Sequence, residues 1–192
     1  MRSCLLLLCI LTSVIGYGQI EIPQGNFSCQ HMQKERLSYC IDAETYACQW
    51  TAIQIKGSDI EKQTYLPSDK EFFRELPAML QPSWGRLEKQ VMLWAMEFDS
   101  VYVVTGLVQI ADDSTNISKQ AYYKAILKGC QGDGLGFLFY TDIQPESLKK
   151  HAITLRELES ITDMNFFPDL DPDLQDIFEN DFSWQFWPLT GE

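Results

Sequence analysis

The sequence predicts an α+β domain in which a mixed or antiparallel sheet is flanked by helices. Three observations predict it. Short runs rich in β-branched and aromatic residues recur along the chain, at residues 37–41, 46–55, 101–104, 122–127 and 135–140. One longer segment repeats its apolar residues at helical spacing instead: Trp84, Leu87, Val91, Trp94 and Phe98 fall at three- and four-residue steps, which draws one apolar stripe down a helix. No internal repeat or low-complexity linker divides the chain, and its 192 residues are enough for one domain with a core.

Residues 1–18 read as a secretory signal peptide. Arg2 supplies a positive start, residues 5–15 an apolar stretch too short to be a stable span, and Gly16-Tyr17-Gly18 a small-residue cleavage context before Gln19. An uncleaved anchor is the rival reading, and a lipid anchor at Cys9 a weaker one. Export to a periplasm or out of the cell is therefore expected. No later segment is apolar for long enough to span a bilayer. Residues 19–36 are polar, with Pro23 and Gly25, and read as a lead-in loop.

Residues 37–180 form the body of the domain. Runs 37–41 and 46–55 make a β-hairpin, in which Trp50 alternates with polar neighbours, and Lys56-Gly57-Ser58-Asp59 breaks the second strand. Residues 61–80 are mixed and proline-punctuated, with a short helix expected over 69–76. Gln81 or Ser83 opens the main helix, and Asp99-Ser100 ends it before a buried strand over 101–104. Runs 122–127 and 135–140 form a second strand pair joined by residues 129–134. Thr154-Leu155-Arg156-Glu157 is a capping box, Thr bonding forward and Glu bonding back, so a short helix starts there. Asp171-Pro172 starts another, with proline preset at the first helical position. Residues 181–192 are an aromatic and acidic tail.

Cleavage after Gly18 removes Arg2 and leaves 14 Lys and Arg against 27 Asp and Glu, a formal charge of −13. Residues 157–192 contain ten acidic residues and no basic one. A polyanion is repelled by such a surface, because neutralisation of phosphates by Lys and Arg is what drives nucleic-acid binding. Lys119, Lys124, Lys128, Lys149 and Lys150 are scattered and read as a solvated face.

Four cysteines remain after cleavage: Cys29, Cys40, Cys48 and Cys130. An even number in an exported chain points to disulfides, with three possible pairings. Cys40 and Cys48 sit symmetrically about Glu44, which allows a cross-strand bridge and leaves Cys29 with Cys130. Buried thiols are the alternative. Zinc and dithiol chemistry have no support, because no Cys-x-x-Cys exists.

Several segments, taken in order, carry a likeness to known enzymes. Leu37-Ser38-Tyr39-Cys40-Ile41 and Gln49-Trp50-Thr51-Ala52-Ile53 come first, then Trp84-Gly85-Arg86-Leu87-Glu88, Val101-Tyr102-Val103-Val104-Thr105-Gly106, Ala121-Tyr122-Tyr123-Lys124-Ala125-Ile126-Leu127 and Phe166-Phe167-Pro168. This ordered set resembles the DNA/RNA non-specific endonucleases, the ββα-metal family that includes endonuclease G. The resemblance covers about residues 37–178. It implies a ββα-metal nuclease-like fold and a site built on an Asp-Arg-Gly-His segment and a downstream Asn. In such a site His is the general base, and Asn holds a Mg²⁺ that stabilises the charge of the phosphorane. Here the match to the first segment is Lys62-Gln63-Thr64-Tyr65-Leu66, so Tyr65 stands at the His position. A phenol with a pKa of about 10 is a poor base at neutral pH. Leu80 stands at the Asn position, four residues before Trp84, and cannot ligate a hard cation. Glu88 matches the helix Glu of the family. The two histidines, His31 and His151, lie outside the site-building segment.

The remaining motifs have plainer readings. Gly132-Asp133-Gly134-Leu135-Gly136 lacks the helix and spacing of a nucleotide loop and reads as a hairpin turn. Asp169, Asp171, Asp173 and Asp176 lack a calcium loop and its turn glycine, so they read as an acidic helix start. Asn26-Phe27-Ser28 and Asn116-Ile117-Ser118 match glycosylation acceptors. In the tail, Trp184, Phe186 and Trp187 either anchor a partner or fold back onto the domain.

The leading expectation is an exported, nuclease-like protein that has lost catalysis and acts by binding a protein partner, without a cofactor. An active metal-dependent endonuclease with a rearranged site on Asp69, Glu88 and His151, using Mg²⁺, is the alternative. A non-catalytic nucleic-acid-binding module is the third reading.

Overall fold

The computed structural model describes residues 23–25, 29–34, 36–45, 47–62, 76–112, 117–129, 133–143 and 147–190. The architecture is α+β, with a seven-stranded sheet that is antiparallel throughout. Its strands are β2 (Cys29–Lys34), β3 (Leu37–Asp42), β4 (Cys48–Lys56), β5 (Ser100–Asp112), β6 (Ile117–Lys128), β7 (Gly134–Tyr140) and β8 (Ala152–Ile153). Each strand pairs with the next in sequence. A separate pair joins β1 (Gln24–Gly25) to β9 (Met164–Asn165). The described residues also form four α-helices: α1 (Gly57–Glu61), α2 (Gln81–Glu97), α3 (Leu155–Thr162) and α4 (Pro172–Glu179).

Both faces of the sheet are covered. Side chains alternate along each strand, so each strand feeds two cores. On one face, Val101, Val103, Tyr122, Ile126, Leu135, Phe137 and Phe139 pack under the stripe of α2, made of Leu80, Trp84, Leu87, Val91 and Trp94. The opposite core joins Cys40, Trp50, Ala52, Val104, Tyr123 and Leu138 to Leu155 and Leu158 of α3 and to Met164, Phe166 and Phe167. Two glycines permit close approaches. A Cβ at Gly57 would lie 2.9 Å from the Ala95 carbonyl oxygen, where α1 meets α2. A Cβ at Gly106 would lie 2.2 Å from the Tyr123 hydroxyl, because that ring crosses β5 there. The Tyr123 hydroxyl meets Met164 Sδ at 3.0 Å, and burial pushes its phenol far above the usual value.

The sequence expectations meet this structure unevenly. The hairpin, the α2 stripe and the strand pair 122–127 with 135–140 are present, and β5 and β6 run well past the apolar segments that announce them. The capping box is built as expected: the Glu157 carboxylate accepts from the Thr154 N–H at 2.9 Å, and the Thr154 hydroxyl accepts from the Glu157 N–H at 3.1 Å. Asp171 caps α4, accepting from the Asp173 N–H at 3.0 Å.

Three expectations are corrected. The lead-in loop is not all loop, because residues 29–34 form β2, which extends the sheet by pairing with β3. Lys56-Gly57-Ser58-Asp59 does not simply break a strand: β4 runs to Lys56, and α1 begins at once. There the Arg36 guanidinium pairs with Asp59 and holds its carboxyl below the usual range. The third correction is the disulfide, which joins Cys29 to Cys40 rather than Cys40 to Cys48. Cys29 opposes Asp42 and Cys40 opposes His31, so the two cysteines are diagonal on one face. A bulge between Cys40 and Ile41 sets Cys40 against Trp50 and Ile41 against Cys48. The Cys48 thiol then donates to the Trp50 carbonyl at 3.4 Å. The signal segment, Cys130, both glycosylation asparagines and all of the expected 69–76 helix except Leu76 lie outside the described residues.

Candidate functional site

Of the two positions that the resemblance assigns to the general base and the metal ligand, Leu80 lies among the described residues, and it is packed shut. Leu80 is the N-cap of α2 and is fully buried. Its N–H bonds the Pro77 carbonyl at 2.9 Å, and its own carbonyl accepts from the Trp84 N–H at 2.9 Å. An apolar side chain sealed into the core cannot hold a hard cation. Glu88 is half-buried on the same helix. Tyr65 and Asp69 lie outside the described residues. His151 stacks on Phe139 with ring centroids 4.5 Å apart, its Nδ1 3.2 Å from the Leu138 carbonyl oxygen. Among the described residues, no group of three or more His, Cys, Asp or Glu is placed to hold a metal ion. The described residues at the expected positions do not fit Mg²⁺.

What the structure does place beneath α2 is cationic. Lys124 and Lys128 lie on the α2-facing side of β6, two residues either side of Ile126, and are only 3 % and 2 % exposed. Their expected place on a solvated face is thus overturned. The signal was present in the sequence: both interrupt or end the apolar run of a strand covered on both faces. Lys124 donates to the Thr105 hydroxyl at 2.9 Å and lies 4.9 Å from the Trp84 ring centre. Lys128 sits 4.1 Å from the Phe98 ring centre and 4.6 Å from that of Trp187, a cation–π cage. It donates to the Phe186 carbonyl and pairs with Asp133 at 3.4 Å. Burial lowers its pKa, and Asp133 opposes that shift. Lys119, Lys149 and Lys150 are exposed, as expected.

The C-terminal segment divides at one peptide bond. Trp187 is fully buried, edge-on to Trp94 at 5.0 Å and to Phe98 at 5.8 Å. The following backbone is bolted to α2. The Trp94 indole donates to the Pro188 carbonyl at 2.8 Å, the Gln90 amide donates to the same oxygen at 3.1 Å, and the Thr190 N–H donates to Gln90 Oε1 at 2.9 Å. Trp187 therefore leaves the set of partner-binding candidates, because a residue sealed in the core has no surface to offer. Trp184 is half-buried against Phe182, with Lys149 5.8 Å from its ring centre. Phe186 stays 58 % exposed and borders a cavity of about 350 Å³ lined also by Lys128, Asp133, Ile177, Phe178 and Asp181.

No family model matches the chain, and no curated protein matches it. Among the described residues, no helix is long and apolar enough to cross a membrane.

Proposed function

We propose that the chain is a nuclease-like protein that has lost catalysis and works by binding a protein partner. Leu80 carries this reading. It stands where the resembling family has its metal-binding Asn, and here it is apolar and fully buried. Glu88 is the one matching carboxylate, and one carboxylate does not make a metal site. The formal charge of −12, or −13 once residues 1–18 are removed, disfavours a nucleic-acid partner. The Cys29–Cys40 disulfide fits an exported chain, whose compartment keeps such bonds oxidised.

The test is a nuclease assay on the purified chain with plasmid DNA and RNA, in Mg²⁺, in Mn²⁺ and with chelator. No cleavage under any metal is expected. Metal-dependent cleavage that follows the protein through purification and is abolished by Glu88→Ala would overturn the reading.

A further inference from the structure

Beside the buried Trp187 anchor, the cavity of about 350 Å³ opens between α4, residues 181–186 and the start of β7. Lys128, Phe178, Ile177 and Phe186 line it together with Asp133 and Asp181. Ile177 is 65 % exposed and Phe186 58 %, the highest values among the exposed large apolar side chains of the described residues. Single exposed apolar residues are ordinary on a protein surface. Two that border one hollow form a patch that a binding role would explain.

The charge around the hollow selects the partner. Among the described residues Lys128 is the one cation of the lining, and it is sealed by Asp133, the Phe186 carbonyl and the rings of Phe98 and Trp187. Residues 157–192 add no Lys or Arg, and Arg156 is already held by Glu159, Asp176 and Glu179. The surface thus offers an apolar hollow with a carboxylate rim.

We propose that this hollow docks a protein segment carrying a large apolar side chain flanked by Lys or Arg. The proposal rests on the partner-binding reading above and names its surface and chemistry. The apolar side chain fills the space against Phe178, between Ile177 and Phe186. The flanking cations meet Asp181 first, while Asp133, already paired with Lys128, adds the lesser share. Burial of the anchor supplies the affinity, and the rim charges set specificity and speed of association.

The test titrates short synthetic peptides with the purified full chain, read by fluorescence anisotropy. One peptide carries Leu and Trp anchors flanked by Lys and Arg. A second has Glu in place of Lys and Arg, and a third has Ser in place of the anchors. The first is expected to bind saturably, and more weakly as salt rises. The other two are expected to bind about tenfold more weakly or worse. Phe186→Ser and Ile177→Ser change exposed positions, so both variants keep the melting temperature of the parent and lose about tenfold in affinity for the first peptide. Equal binding of the acidic peptide, binding unmoved by either variant, or no saturable binding of any peptide would overturn the proposal. Self-association abolished by Phe186→Ser would overturn it too, by giving the surface to a second copy of the chain. These failures leave the partner-binding reading intact, because that reading falls only to nuclease activity of the same chain.

Discussion

The start of α2 and the end of the chain both lean on the same helix, yet they treat it in opposite ways. At Leu80 and Trp84 the helix is closed by apolar packing against Tyr122 and Phe139. At Gln90 and Trp94 the helix grips the C-terminal backbone through polar bonds, and that grip leaves Phe186 at the surface beside an open hollow. A site is made of what the packing leaves accessible, so the first region is closed at Leu80, and the second leaves an apolar hollow at the surface. Function belongs to the site rather than to the scaffold.

The largest expected effect breaks the comparison at its anchor. Trp187→Ala removes a fully buried ring that touches Trp94, Phe98 and Lys128, at a cost of about 3–5 kcal/mol. Phe186→Ser, one residue earlier and exposed, costs within about 0.5 kcal/mol. Urea unfolding of both variants checks this. Equal losses would mean that the two aromatics share one environment and that the C-terminal segment does not divide as described.

A smaller effect tests the closed end. Leu80→Asn introduces the residue type that the proposed resemblance calls for at that position, but it puts an amide into a sealed apolar site. The cost is about 2–4 kcal/mol, from lost apolar burial and an unmet polar group. Added Mg²⁺ is expected to leave the melting temperature of this variant unchanged. A rise in melting temperature with Mg²⁺ would show a latent metal site at the helix start.

What the sequence made legible was local. The α2 stripe, the Thr154–Glu157 capping box and the hairpin each follow from spacing or from side-chain bonds within a few residues. What it hid depended on distant partners. β2 reads Cys-Gln-His-Met-Gln-Lys, with no apolar alternation, and becomes a strand because β3 offers it an edge. The disulfide turns on a bulge after Cys40 that no cysteine spacing announces. Of the candidate site, the sequence singles out the tail aromatics as a group, but only tertiary packing separates Trp187 from Phe186. The cavity residues Asp133 and the neighbours Ile177 and Phe178 come from two distant places in the chain and carry no shared motif.

The last expected effect depends on pH and concerns α4, which carries Ile177 and Phe178 of the hollow. Glu179 ends α4, is 1 % exposed, and has Arg156 at 2.9 Å with Glu159 and Asp176 on the same cation. Neither of its carboxyl oxygens makes a well-formed hydrogen bond. Burial, reinforced by Glu159 and opposed by Arg156, raises its pKa from the ordinary 4.5 to about 7. A carboxyl with a higher pKa in the folded state binds its proton more tightly there. Its contribution is therefore full below 4.5 and is lost as pH rises through about 7. Glu179→Gln keeps the shape and removes the titration, so this variant is expected to lose less stability than the parent across that window and to be the more stable of the two above it. Denaturant midpoints of parent and variant, measured at intervals across the window, decide it. Parallel pH profiles would mean that Arg156 keeps Glu179 ionised throughout, and that the docking of α4, with Ile177 and Phe178 on it, is insensitive to pH.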